Sequence, residues 1–165
     1  MKNRILRVGT AVPSLCIGDV SYNVQEICAC MHAHADCDLL VFPELSLTGY
    51  TCGDLFLQQT LLDQVTIGLL TLAQETEKLP GLCAVVGAPI RYEDALLNCA
   101  VYLNAGKIVA IVPKTVLPAY GAFYETRWFT SGKEIRGASV LIGDQLVMLG
   151  SDLLPKDFAL DFSIG

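Results

Sequence analysis

Residues 39–58 read LLVFPELSLTGYTCGDLFLQ. Leu39, Leu40, Val41 and Phe42 form an unbroken apolar run, the pattern of a short strand buried on both faces of a parallel sheet. Pro43 then removes a backbone donor and ends the strand, and Glu44 follows at once. A carboxylate at the carboxyl end of a core strand lies on the rim where α/β sheets build their sites. Partial desolvation there is the condition that tunes a general base.

A second stretch has the same form with the opposite charge. Residues 108–114, IVAIVPK, are an apolar strand closed by Pro113 and Lys114. A lysine fixed at a strand exit can stabilise a developing oxyanion. If both strands run the same way in one sheet, their exits share a rim. Glu44 and Lys114 are then expected to meet from neighbouring or next-neighbouring strands, each holding the other ionised.

Around these stretches the pattern is β-α-β-α, then mostly β. The segment RILRVGTAV predicts the first strand. Asp19 is placed to cap a helix from Val20, with Val20, Val24, Ile27, Cys28, Met31 and Ala35 at helical spacing. Asp54 is placed to cap a second helix running to about Lys78, where Pro80 and Gly81 stop it. LCAVVGAPIRY predicts a third strand, and ALLNCAVYLNAGKIVAIVPK a hairpin about Asn104-Ala105-Gly106. ASVLIG and DQLVMLGSDLL form a further expected hairpin, and FALDFSIG (158–165) one more strand. The order predicts a mixed sheet layered with helices in one α/β domain.

The chain has 165 residues, 53% of them hydrophobic and 17% charged. That apolar content predicts a sheet covered on both faces, or a face that awaits a partner. No run reads as the ~20 apolar residues of a membrane span. The net charge of −6, with no basic cluster, argues against a nucleic-acid partner. The N-terminus lacks the apolar core of a signal peptide, so the seven cysteines are expected as reduced, mostly buried thiols in the cytoplasm. In CACMHAHADC, residues 28–37, Cys28/His32 and Cys30/His34 lie on different helical faces, which disfavours a shared metal. Cys52 sits in a polar turn with no cation to activate it and is read as a bystander.

LVFPELSLTGY resembles the glutamate motif of the nitrilase, or carbon–nitrogen hydrolase, superfamily. GDLFLQ and PKTVLPAYGAFYETRWFTSG are similar to the glutaminase domains of the glutamine-dependent NAD+ synthetases, and the resemblance runs in order along nearly the whole chain. It implies a nitrilase-like α-β-β-α sandwich, of which residues 1–165 would be the first half to two-thirds. Glu44 would be the general base of a Glu-Lys-Cys triad and Lys114 the lysine that stabilises the intermediate. Glu125 would orient that lysine, and Tyr120 would bind substrate glutamine. The cysteine of this family follows a strand downstream of the lysine. No cysteine occurs here after Cys99, so the chain is expected to stop short of its nucleophile and to be inactive alone.

The resemblance further implies no metal or cofactor in this part, with ATP and Mg2+ serving an absent synthetase domain. It implies that synthetase domain as partner, and homo-oligomeric assembly. A stand-alone amidase of the superfamily is the enzymatic rival, disfavoured by GAFYETRWF. A non-catalytic chain acting only by association through exposed apolar surface is the rival of a different class.

Overall fold

A computed structural model describes residues 5–154, together with the backbone of two short strand segments at 156–157 and 162–163. The elements follow as β1 (Val8–Thr10), α1 (Val20–Ala33), β2 (Leu39–Val41), a 3-10 turn (Gly53–Leu57) and α2 (Gln59–Glu77). Then come β3 (Cys83–Tyr92), β4 (Ala95–Asn104), β5 (Lys107–Pro113), a second 3-10 turn (Glu125–Arg127), β6 (Ala138–Ile142) and β7 (Gln145–Leu149). The strand expected over 158–165 lies outside the described residues, apart from Phe162–Ser163, which pairs with Lys156–Asp157.

Seven strands form one mixed sheet in the order β1-β2-β3-β4-β5-β7-β6. β1, β2 and β3 are parallel, and β3-β4-β5 is an antiparallel meander. β5 therefore runs in the same direction as β2. The β4–β5 hairpin turns on Ala105 and Gly106 at φ 47° and 81°, the paired positive φ of a tight hairpin whose twist matches its strands. The expected first strand is shorter than RILRVGTAV, because its partner β2 offers only three residues before Phe42 and Pro43 turn away.

α1 and α2 cover one face of the sheet. Ile27 and Met31 of α1, and Val65, Leu69 and Leu72 of α2, pack with Leu40, Val86, Leu97 and Val101 of the strands in one core. The helices approach closely at Gly68, where a Cβ would stand 2.9 Å from a Val24 methyl. The opposite face of the sheet carries its own apolar cluster of Leu39, Cys83, Val85 and Tyr102. Strands apolar on both faces account for the chain's composition. The described residues thus supply the helical layer and the large sheet of a nitrilase-like α/β fold. No helix among them is long and apolar enough to cross a membrane.

The first helix begins as expected, with the Asp19 carboxylate accepting from Tyr22 N at 3.0 Å. The second does not. Gly53–Leu57 is a 3-10 turn, α2 starts at Gln59, and Gln58 makes no side-chain cap. Asp54 is engaged elsewhere. Its carboxylate accepts Arg127 Nε and Nη2 at 3.0 and 3.1 Å and Trp128 Nε1 at 2.9 Å, tying the 3-10 turn to the loop after β5. A fork of two charge-assisted bonds outweighs one cap bond. His32 and His34 also act separately: His32 Nε2 lies 2.5 Å from Glu75 Oε1, and His34 Nδ1 donates to the Cys30 carbonyl at 2.9 Å.

The bonds from Arg127 and then Trp128 hold the Asp54 carboxyl at about 2, down from 3.8. A depressed carboxylate keeps its contact above its unfolded value and loses it as pH falls through the folded one. NMR titration of Asp54 is expected to give a midpoint near 2, and Arg127→Ala to move it upward. An ordinary midpoint in the unaltered chain would remove this tie from the fold.

Candidate active site

Glu44 and Lys114 meet. Lys114 Nζ donates to Glu44 Oε1 at 2.8 Å across 70 residues of sequence. The strands that carry them are not neighbours or next-neighbours, because β3 and β4 both lie between β2 and β5. Three strand spacings are ~14 Å, too far for a direct pair from the strand axes. The gap closes because the chain after β2 crosses over β3.

That crossing depends on Gly87. A Cβ there would stand 2.2 Å from Leu45 N and 2.7 Å from the Pro43 carbonyl oxygen. Pro43, Glu44 and Leu45 therefore lie directly on the backbone of β3. Leu47 N donates to Gly87 O at 3.1 Å, and Gly87 N donates to Ser46 Oγ at 3.1 Å. Leu45 takes φ 52° in this turn. A left-handed leucine costs ~1–2 kcal/mol, here offset by complete burial of its side chain. Lys114 has a parallel support. A Cβ on Gly132 would fall 2.4 Å from Pro113 Cβ, and Gly132 N donates to the Lys114 carbonyl at 3.0 Å.

Glu125 completes the cluster. Lys114 Nζ donates to its Oε1 at 2.9 Å, and the Tyr50 hydroxyl donates to the same oxygen at 2.5 Å. The loop bearing Glu125 is anchored by Phe129 and Trp128, whose rings lie 4.9 and 6.1 Å from Phe56. The side chains differ in exposure: Glu44 41%, Lys114 29% and Glu125 3%. Glu125 Oε2 is buried with no hydrogen-bond partner among the described residues.

Burial pulls the Lys114 ammonium down, but its bonds to Glu125 and Glu44 outweigh this and hold it above the ordinary lysine value. Tyr50 is pushed far above the usual tyrosine range, first by burial and then by its bond to Glu125. It remains a proton donor to that carboxylate. Glu44, Asn98, Lys114 and the strand residues Val85 and Val112 line a cavity of about 580 Å³. Tyr120 connects to the charged cluster through Phe123. Its exposed ring packs edge-on to Phe123 at 5.7 Å, and Phe123 packs edge-on to Tyr50 at 6.4 Å.

Residues 11–150 match the family described as carbon-nitrogen hydrolase. The chain belongs to the carbon–nitrogen hydrolase family. It is 41% identical over 152 residues to the glutamine-dependent NAD(+) synthetase of Mycobacterium tuberculosis H37Rv, covering 90% of this chain and 22% of that protein. It is 36% identical over 132 residues to the enzyme of the same name from Thermotoga maritima, covering 79% and 23%. The crystal structure of a glutamine-dependent NAD(+) synthetase from Cytophaga hutchinsonii superposes with a TM-score of 0.82 at 26% identity, over 92% of this chain and 26% of that one. The chain thus spans about a quarter or less of the length of these relatives.

In this carbon–nitrogen hydrolase chain burial works against Cys52 and Cys99 as nucleophiles. All seven cysteines are free. Cys52 is buried and donates to the Thr48 carbonyl at 3.0 Å, and burial raises its pKa. Cys99 is buried in the helix-facing core and is pushed far above the thiol range by desolvation. A protonated thiol is a poor nucleophile.

Two members of the cluster were not legible beforehand as site residues. Tyr50 could have been found as the aromatic that closes LSLTGY at a turn glycine. Asn98 is the amide within the apolar run ALLNCAVYL.

Lys114→Met is expected to destabilise the fold by roughly 3 kcal/mol, because it leaves the buried Glu125 carboxylate without its cation. Glu44→Gln is expected to cost no more than ~1 kcal/mol, because Glu44 is the exposed end of the pair. Urea melts that reverse this ranking would contradict the shared-ammonium geometry. Gly87→Ala is expected to cost at least ~2 kcal/mol, since the new methyl meets backbone that no rotamer change can clear. An unchanged melt would mean that the Glu44 turn is free to lift from β3.

Proposed function

We propose that this chain is the glutaminase portion of a glutamine-dependent NAD+ synthetase, which releases ammonia from glutamine for amidation of deamido-NAD+. The observation that carries the reading is the convergence of Glu44 and Glu125 on Lys114, beside the cavity that Glu44 and Lys114 line. The similarity to synthetases that are glutamine-dependent by name supports it. Residues 1–165 would form part of a glutaminase domain in the cytoplasm, followed by a synthetase domain in a homo-oligomer. ATP and Mg2+ would serve that synthetase domain and take no part at this site.

In the proposed reaction Glu44 accepts the proton of a cysteine thiol outside this chain's seven, and the thiolate attacks the glutamine amide carbon. Lys114 stabilises the oxyanion that forms. The tetrahedral intermediate collapses as Glu44 returns the proton to the departing nitrogen, so ammonia leaves and a thioester remains. Glu44 then takes a proton from water, hydroxide adds to the thioester, and glutamate is released with the thiol restored. Glu125, held by Tyr50, keeps the Lys114 ammonium in place through these steps. Tyr120 and Phe123 would form an aromatic wall for the glutamine.

Two measurements test this. The 165-residue chain, incubated with glutamine, is expected to release no ammonia. Turnover that vanished with Cys52→Ala would make Cys52 the nucleophile and overturn the reading. The second is a graft of residues 11–150 in place of the matching stretch of the M. tuberculosis relative. It is expected to retain glutamine-dependent NAD+ synthesis, and to lose at least ~10²-fold with Glu44→Gln. A folded graft that used free ammonia but not glutamine would refute it.

A further inference from the structure

β4 is apolar along its length except at Asn98 and its last residue, and Asn98 is buried. Its companions two and four residues on, Ala100 and Tyr102, belong to the apolar cluster opposite the helices. An amide among such neighbours is costly unless its polar atoms are satisfied. Asn98 directs its groups at both charged strand exits. Its carbonyl accepts from Lys114 N at 2.8 Å, and its side-chain Nδ2 donates to Glu44 Oε1. One buried residue on the strand between the two exits thus holds the main chain of the cation and the side chain of the carboxylate.

The carboxylate needs such a tie. Glu44 is substantially exposed, and an ion pair of that exposure gains little once the rotamer freedom it removes is counted. A donor fixed in the middle of a sheet carries no such freedom of its own. Both hydrogen bonds that Glu44 receives end on Oε1, so Oε2 carries none among the described residues.

We propose that Asn98 is a positioning residue that fixes the Glu44 side chain, turning Oε1 to Lys114 and leaving Oε2 as the free proton acceptor. The word acceptor rests on the glutaminase reading; the effect of Asn98 on Glu44 and Lys114 does not. Gly87 sets the backbone of the Glu44 turn, and Asn98 sets the carboxylate at its tip.

The test reads Lys114 through its partner. The 165-residue chain is labelled with limiting acetic anhydride at pH 9, and the rate at Lys114 is taken relative to the exposed Lys107 by mass spectrometry. Only the unprotonated amine reacts, so losing a carboxylate partner speeds labelling. Glu44→Gln is expected to raise the Lys114 rate about threefold, the effect of half a pKa unit. Asn98→Ala is expected to raise it by a similar factor, and the double variant to label no faster than Glu44→Gln alone, because both changes remove one interaction. A folded Asn98→Ala chain with an unchanged rate, or a double variant whose effects multiply, would overturn the proposal.

A second measurement leaves Asn98 intact. The side-chain amide protons of Asn98 are followed by NMR in the unaltered and Glu44→Gln chains. The proton bonded to the carboxylate is expected to move upfield when the charge is removed, and an unmoved signal would refute the contact. Neither readout uses glutamine, so failure of the graft experiment and failure of this one are separate results.

Discussion

One ammonium holds the site together. Lys114 Nζ lies 2.8 Å from Glu44 and 2.9 Å from Glu125, and these residues come from three separate parts of the chain. Two carboxylates that approach one point repel each other, and the ammonium between them offsets that repulsion. Burial works against Lys114, yet its two bonds more than compensate. The loop after β5 must therefore close over the sheet for Glu125 to be paired, and the Glu44 turn must lie down on β3 for its carboxylate to reach the same nitrogen.

Two glycines make that approach possible. At Gly87 and Gly132 the backbone of one segment rests on the segment that carries a charged residue, at distances no Cβ could share. The prolines and glycines work as pairs. Pro43 and Pro113 end the strands, and Gly87 and Gly132 receive the turns that follow. The cost of the left-handed Leu45 is met by burial in the core shared with the helices. Backbone strain beside a charged residue is typical of functional sites, where surrounding structure over-determines the geometry.

The loop that carries Glu125 is held from outside the site as well. Asp54 grips Arg127 and Trp128, and Phe56 packs under Trp128 and Phe129. The segment GDLFL thus serves as an anchor for the Glu125 loop and not as the opening of α2. A loop that must present a buried carboxylate needs such a fastening, and Phe129 and Trp128 supply its apolar part.

Periodicity and punctuation were enough to read the strands through β7, the first helix, both hairpins and the two charged strand exits. These are local properties. An apolar run ended by proline stops a strand wherever it lies, and an aspartate before a helical stripe caps it when nothing else competes. Asp54 shows where that reasoning ends: its sequence position suits a cap, but a guanidinium and an indole 73 and 74 residues away bind it. The strand order was likewise not local. The sequence paired Glu44 with Lys114 by their like settings, yet placed their strands too near. Only the folded chain interposes β3 and β4 and spans the gap with a turn laid over Gly87. Tyr50 and Asn98 gain their partners only once β4 and the Glu125 loop are in place. Hydrogen bonds between side chains distant in sequence leave no period and no spacing to read. The tertiary structure decides them because it alone fixes which buried polar groups have another within reach.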